Sequence, residues 1–308
     1  MTLCAACGIG EDDGIKMNKC TACDLARYCS DKCQLEHLPE HEQTCKKRAA
    51  ELRDDILFKQ PESSHFGDCP ICCLPLSIYT SKSTPMECCS KVICGGCAYA
   101  DTIRELAGSL ESTCPFCRHP TEESLEEART RRIEANDPFA MCQMGIRRYH
   151  DGDYKSAYEY LSKAAELGEV TAHFELSLFL SSGVGVEMDE KKEVYHLEQA
   201  AIGGEPFARY NLGLVELKNG RHARAAKHLI IAANMGHDGS LRTLKDWYRF
   251  GLVSKENFAA ALRGHQAAVD ATKSPQREAA EAFQRRHGLH AAAQASTTSL
   301  KRNPEYRE

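Results

Sequence analysis

The sequence predicts small metal-stabilised domains at the amino-terminal end, followed by an all-α region of helical repeats. Two observations support this prediction. Sixteen of the 17 cysteines lie before residue 118, and most of them form close pairs. Beyond residue 118 alanine, leucine and glutamate become more frequent, and a motif that ends in glycine recurs at spacings of 36 and 32 residues. The expected fold class is therefore small zinc-stabilised domains plus an all-α helical repeat solenoid.

Composition and charge narrow the functional class. A length of 308 residues suggests two or three domains, and a formal net charge of −5 argues against a general nucleic-acid binder. No apolar run approaches the ~20 residues that cross a bilayer, and the start MTLCAACGIG lacks the features of a signal peptide. We therefore expect a cytoplasmic or nuclear protein without a membrane partner. Thiols stay reduced in these compartments, where dense cysteine pairs more often hold zinc than disulfides.

The first cysteine block supplies eight potential zinc donors. Tetrahedral zinc needs four, so the block predicts two closed sites. Two of the pairs are four residues apart, which places both side chains on one helical face. The four pairs are Cys4 and Cys7, Cys20 and Cys23, Cys29 and Cys33, and His41 and Cys45.

This block, residues 1–48, resembles the MYND-type zinc finger in Tyr28-Cys29, in Cys33-Gln34 and in the final His41 and Cys45. The resemblance implies that the pairs interleave. One ion would be held by Cys4, Cys7, Cys29 and Cys33, and the other by Cys20, Cys23, His41 and Cys45. Leu38 stands where the family often carries tryptophan. His37 is expected on the helix surface or behind the ligands, because the spacing of His41 to Cys45 fits the family better.

The second block, residues 66–120, reads Cys69-Pro-Ile-Cys72, Cys88-Cys89, Cys94-Gly-Gly-Cys97 and Cys114-Pro-Phe-Cys117-Arg118. It resembles an all-cysteine variant of the RING finger, with Lys91 where a common RING has histidine. The resemblance implies a cross-brace of two ions, held by Cys69, Cys72, Cys94 and Cys97 and by Cys88, Cys89, Cys114 and Cys117. The side chains of adjacent residues diverge, so Cys88 and Cys89 can both bind one ion only if the backbone bends sharply between them. Otherwise only one of the two is a ligand. Cys73 fits no pair and is expected to be a small core hydrophobe rather than a donor.

The RING resemblance also implies a surface for a ubiquitin-conjugating enzyme. Ile71 and Pro115 would form its apolar part, and Arg118 would orient ubiquitin through its guanidinium. The same residues could instead simply shape the turns or remain solvated. About four zinc ions per chain are expected, each with four protein donors. We therefore expect no catalytic metal centre and no catalytic residue in the fingers.

The second half predicts paired helices. Residues 121–135 have the composition of a connector helix. Residues 136–271 resemble Sel1-like repeats, which are relatives of tetratricopeptide repeats, and the degenerate last unit caps the stack. Gly168, Gly204 and Gly236 are expected to end helices in left-handed caps. Residues 272–308 are expected to be a disordered tail.

These modules predict a zinc-binding protein that binds protein partners through the MYND-type finger and the repeats. Two versions remain open. In the first, the RING-type finger makes the chain a ubiquitin ligase whose other modules recruit a partner. In the alternative, the chain is a non-catalytic zinc-stabilised adaptor or scaffold.

Overall fold

The computed structural model describes residues 2–11, 15–108, 111–120 and 125–287. The chain divides into two compact units, Met1–Lys59 and Gln60–Glu308. The described residues form four short strands and twelve α-helices. None of these helices is both long enough and apolar enough to cross a bilayer.

The first unit is a short hairpin followed by a long helix. Strands β1 (Asn18–Lys19) and β2 (Arg27–Tyr28) pair antiparallel, and helix α1 spans Asp31–Leu57. Ser30 begins the helix because its side chain accepts the backbone N–H of Cys33, which satisfies an otherwise unpaired donor. The core of this unit consists mainly of sulfur, since Met17, Ala26 and Tyr28 pack with buried cysteines.

Four Cys-x2-Cys turns share one backbone conformation. In each turn, the residue after the second cysteine has a positive φ and donates its N–H to the carbonyl of the first cysteine at 2.8–3.0 Å. These residues are Gly8, Asp24, Cys73 and Arg118, with φ values of 74, 59, 55 and 60°. The left-handed region favours glycine, so Cys73 and Arg118 hold a conformation that their side chains resist.

The second finger is a hairpin and a helix at the start of the second unit. Strands β3 (Ser83–Met86) and β4 (Lys91–Cys94) pair antiparallel, and α2 (Gly95–Gly108) follows directly. Its core consists of Cys69, Cys94 and Cys97 together with Leu76 and Ile93. Sulfur therefore again replaces much of the apolar side-chain volume that a larger domain would bury.

Helix pairs fill most of the second unit. Helix α3 spans Leu125–Glu134, within the segment where a connector helix is expected, and residues 121–124 of that segment lie outside the described residues. Six helices of 13 residues each then follow in three pairs. They are α4 (Pro138–His150), α5 (Tyr154–Glu166), α6 (Val170–Ser182), α7 (Glu190–Ile202), α8 (Pro206–Lys218) and α9 (His222–Asn234).

Small residues allow the paired helices to pack closely. Ala164 and Ala200 are fully buried, and the large apolar side chains between the helices include the equally buried Leu161 and Leu229. The predicted left-handed glycines are confirmed, because Gly168, Gly204 and Gly236 have φ values of 88, 91 and 90°. Each reverses the chain after a second helix so that the next pair can stack on it.

The last part of the described chain adds three helices. Helices α10 (Asp238–Arg249) and α11 (Lys255–Ala271) complete the core around Trp247, and α12 spans Pro275–Arg286. The expectation of a disordered tail from residue 272 is wrong for α12. Ser274 caps this helix, and its buried face packs on α2 of the second finger, so tertiary contacts stabilise a segment whose composition alone suggests disorder. Residues 288–308 lie outside the described residues.

Within the second unit, the finger is fastened to the repeats. The hydroxyl of Tyr79 donates to a carboxylate oxygen of Asp238 at 2.8 Å, and the other oxygen lies 2.9 Å from His265 Nε2. The backbone N–H of His65 donates to the carbonyl of Gly204 at 3.1 Å. The contacts join residues far apart in sequence, so the finger has a fixed orientation on the helices.

Candidate metal centres

The sixteen predicted donors gather into four clusters. Within each cluster the four ligand atoms lie within 4.8 Å of one another. Centre 1 contains Cys4, Cys7, Cys29 and Cys33; centre 2 contains Cys20, Cys23, His41 and Cys45; centre 3 contains Cys69, Cys72, Cys94 and Cys97; and centre 4 contains Cys88, Cys89, Cys114 and Cys117. These are the interleaved groups that the two family resemblances imply. Cys73 lies outside all four groups, but it is exposed, so the expectation of a core position is wrong. Residue 73 follows the second cysteine of its knuckle with a φ of 55°, and this turn leaves its side chain at the surface.

The distances between sulfur atoms fit tetrahedral zinc. Four sulfurs about 2.3 Å from one ion would be about 3.8 Å from each other. In centre 1, Cys29 Sγ lies 3.6 Å from both Cys7 Sγ and Cys33 Sγ, and in centre 3 the Sγ atoms of Cys72 and Cys94 are 3.8 Å apart. These separations exceed the ~2.05 Å of a disulfide bond, and all the cysteines are free thiols. The four clusters therefore fit four zinc ions.

Helix α1 supplies half of centre 2. His41 and Cys45 lie one turn apart on it, and His41 Nε2 is 3.2 Å from Cys23 Sγ. His37 is not in the cluster but stacks on His41, with ring centroids 5.6 Å apart. Its Nδ1 lies 3.1 Å from the hydroxyl of buried Tyr28. His37 therefore lies behind the ligand His41 and packs against its ring.

A tight turn brings Cys88 and Cys89 to the same cluster. The turn of residues 87–90 joins β3 to β4. In it, the N–H of Cys89 donates to the carbonyl of Met86 at 3.3 Å, and Ser90 has a φ of 53°. Cys88 Sγ lies 3.4 Å from Cys117 Sγ, and Cys89 Sγ lies 4.0 Å from Cys114 Sγ. The sharp bend that adjacent donors require is therefore present, and both sulfurs face centre 4.

The thiols of each centre differ in their tendency to ionise. Backbone N–H groups of Cys7 and Cys29 lower the pKa of Cys4 to about 6. The neighbouring thiols Cys33 and Cys7 raise the pKa of Cys29 to about 12. Without an ion, such a cluster cannot collect four negative charges. A divalent cation removes this conflict, which is the chemistry expected of a structural zinc site.

The predicted contact residues for a conjugating enzyme lie on the second finger. Ile71 is 42% exposed, Pro115 is half-buried, and Arg118 is exposed. Two further exposed apolar side chains of this finger were not predicted from the sequence: Phe116, which is 41% exposed, and Leu106 of α2, which is 74% exposed. The available signal for Phe116 was its place between the last two predicted donors, and Leu106 had no comparable motif.

Arg277 of α12 also contacts this finger, and the sequence analysis missed it. Its Nη2 lies 3.4 Å from Cys72 Sγ, although 205 residues separate the two. No local motif marks such a residue, so only the folded chain identifies it.

Four closed Cys/His clusters and stacked helix pairs define a zinc-finger protein with a helical-repeat region. Stacked helix pairs present an extended surface of the kind that binds protein partners. Residues 4–45 match the family model described as the MYND finger. The match covers the first finger only, so it assigns that module and not the whole chain to a family.

Three further proteins are similar to parts of this chain. "DAP3-binding cell death enhancer 1" of Mus musculus is 26% identical over 175 residues, covering 44% of this chain and 34% of that relative. This chain therefore spans about a third of the length of that relative. A Sel1 repeat protein from Oxalobacter formigenes is 28% identical with a TM-score of 0.37, covering 40% of this chain and 98% of the other. The Escherichia coli antigen c5321, described as displaying an SLR fold, is 16% identical with a TM-score of 0.31, covering 58% and 52%.

Proposed function

We propose that this chain is a zinc-stabilised adaptor that holds two or more protein partners in a fixed arrangement. The main support is the attachment of the second finger to the repeats. The contact of Tyr79 with Asp238 and the backbone bond from His65 to Gly204 hold the finger in one orientation. A partner on the finger and a partner on the repeats would then be held at a set distance. We place this function in the cytosol or the nucleus, where the cysteines stay reduced.

Exposed apolar side chains offer contact points on each module. Leu38 of the first finger is 49% exposed, Ile71 of the second finger 42%, and Phe250 between α10 and α11 is 78% exposed. Single exposed hydrophobic residues are ordinary on protein surfaces. Their use as contacts therefore needs a direct test at each position.

Site-specific photo-cross-linking in cells provides this test. A photoreactive amino acid would replace Leu38, Ile71 or Phe250 in turn, and exposed Lys191 of α7 would serve as the control. The adaptor proposal expects discrete cross-linked proteins that differ between the fingers and the repeats. The proposal would be wrong if the three positions gave the same weak, diffuse products as Lys191.

The second candidate function is that of a RING-type ubiquitin ligase. The observation that favours it is Arg118, an exposed arginine with a φ of 60° at a position where glycine is less strained. The turn places this exposed guanidinium directly after Cys117, the last ligand of centre 4. Arg118 would orient ubiquitin, while Ile71 and Pro115 would contact the conjugating enzyme.

A reconstituted ubiquitination assay separates the two functions. Full-length protein with confirmed zinc content would be mixed with activating enzyme, a panel of conjugating enzymes, ubiquitin and ATP. If the chain is a ligase, we expect the wild type to form ubiquitin chains, Ile71→Ala to form none and Arg118→Gly to form fewer. Arg118→Gly removes the guanidinium, and glycine is favoured by the local backbone conformation. A loss of activity in this variant would therefore not result from a strained fold. An absence of chains with every conjugating enzyme would leave only the adaptor.

A further inference from the structure

Arg277 is a buried cation aimed at the second finger from the opposite end of the chain. It lies in the first turn of α12 and is only 8% exposed. The hydroxyl of Ser274 accepts its backbone N–H at 3.3 Å, which fixes the turn from which the side chain projects. Burial of an arginine is unfavourable unless its charge and donors are compensated.

The guanidinium makes one hydrogen bond near its own helix, from Nη1 to the carbonyl of Thr272 at 2.9 Å, and its other contacts are with the loop of the first knuckle of this finger. Nη1 donates to the carbonyl of Pro75 at 2.6 Å, and Nη2 donates to the carbonyl of Leu74 at 3.1 Å and contacts Cys72 Sγ at 3.4 Å. The carbonyl of Leu74 also accepts the N–H of Cys69 at 2.9 Å. One planar group therefore joins the sulfur of a donor to the backbone that shapes the knuckle.

The charge of centre 3 suits this contact. Four thiolates around one divalent ion leave a formal charge of about −2 in a small, largely buried volume. Arg277 supplies a permanent positive charge to this site. A hydrogen bond between a guanidinium and a thiolate is charge-assisted and stronger than one between neutral groups.

Gly96 shows that the finger is shaped to receive this helix. A Cβ at Gly96 would lie 2.8 Å from Cγ, 2.9 Å from N and 3.0 Å from Cα of Arg277. Two of these atoms are backbone, so any side chain at residue 96 would push α12 away. Two further contacts hold the helix, an ion pair between Lys82 and Glu281 at 3.0 Å and the rings of Tyr99 and Phe283 with centroids 5.1 Å apart.

We propose that Arg277 is a positioning residue of centre 3, and that α12 acts as a clamp which slows loss of zinc from this centre. All four ligands of centre 3 lie in the finger, but the residue that positions Cys72 lies outside it. Its metal retention depends on a helix that begins more than 150 residues after its last cysteine. The proposed clamp would act in the same way whether the chain is an adaptor or a ligase.

The test compares Arg277→Met and Arg277→Lys with the wild-type chain. Methionine keeps much of the apolar packing but removes the charge and the donors, whereas lysine keeps the charge and loses the fork. Arg286→Ala is the matched control, since Arg286 is exposed on the same helix. Full-length proteins loaded with zinc would be treated with a chelator and an alkylating reagent, and labelling of each cysteine would be followed by peptide mass spectrometry.

For Arg277→Met we expect labelling of the centre 3 cysteines to accelerate by about 10-fold or more, the effect of losing a residue behind a metal ligand. Arg277→Lys should fall between this variant and the wild type. Rates at centres 1, 2 and 4 should stay unchanged, and Arg286→Ala should match the wild type throughout. The proposal is overturned by wild-type rates at centre 3 in Arg277→Met. Equal acceleration at centres 3 and 4 would also overturn it, since that result would mean general loosening of the finger.

Discussion

Acidification from pH about 7.5 to about 5 is expected to weaken the helical repeats through His228 on α9. This side chain is fully buried, as is Arg209 of α8. Burial, reinforced by the charges of Arg209 and Arg224, lowers the pKa of His228 to about 3 from an ordinary value of 6.5. The histidine is therefore neutral in the folded chain at both pH values. In the unfolded chain it gains a proton as the pH falls below 6.5.

The sign and size of the effect follow from this difference. Below pH 6.5 the unfolded state binds more protons than the folded state, so the free energy of unfolding decreases as the pH falls towards 3. At pH about 5 the unfolded chain is about 1.5 pH units below its pKa, and each unit corresponds to about 1.4 kcal/mol. His228 should therefore account for a loss of about 2 kcal/mol.

Trp247 allows the assay to be confined to the repeats, because it is the only tryptophan and packs in their core. Urea unfolding followed by its fluorescence would be measured at both pH values for the wild type and His228→Gln. Exposed His150 provides the control His150→Gln. On acidification, the free energy of unfolding of the wild type and of the control should decrease by about 2 kcal/mol more than that of His228→Gln. An equal loss in all three proteins would refute the assignment, whatever its absolute size.

Two further predictions concern the fingers. Cys73→Gly should keep about four zinc ions per chain and raise the unfolding free energy of the second finger by about 1 kcal/mol, because residue 73 has a φ of 55°. Cys72→Ser is its control and should lose one ion, so elemental analysis showing equal loss in both variants would make Cys73 a ligand. Removal of zinc by a chelator should unfold the fingers, whose cores contain the metal-binding cysteines, while Trp247 stays shielded in the repeats. The helical circular dichroism signal of the repeats should remain after this treatment. A tryptophan fluorescence spectrum like that of the urea-unfolded protein would instead show that the repeats need the metal.

Local spacing was sufficient to predict most of the architecture. A pair such as Cys4 and Cys7 forms a turn with its own hydrogen bonds, so the sequence signal needs no distant partner. The glycine at the end of a repeat, such as Gly168, likewise acts through its own backbone conformation. Features of this kind depend on residues close together in the chain, and their type and approximate position could be read directly.

Features that depend on distant contacts could not be predicted in this way. Helix α12 is short and has a mixed composition, and its stability comes from the face that packs on α2. The approach of Arg277 to Cys72 could not be predicted, because no period or motif links the two positions. The convergence of Cys88 and Cys89 was undecided for a different reason, since it depends on the bend of the turn at residues 87–90.

Gly204 shows how one motif position can carry two constraints. Gly168 and Gly204 occupy the same place in successive repeats, and both have left-handed backbones. A Cβ on Gly168 would meet nothing within 4 Å, whereas one on Gly204 would lie 3.0 Å from the carbonyl oxygen of Ser63 and 3.2 Å from the backbone nitrogen of His65. Gly204 therefore both ends a helix and admits the segment that leads into the second finger. The repeats thus contribute to positioning the finger through their own caps, and a residue that looks like a routine repeat signal also serves the arrangement on which the proposed adaptor depends.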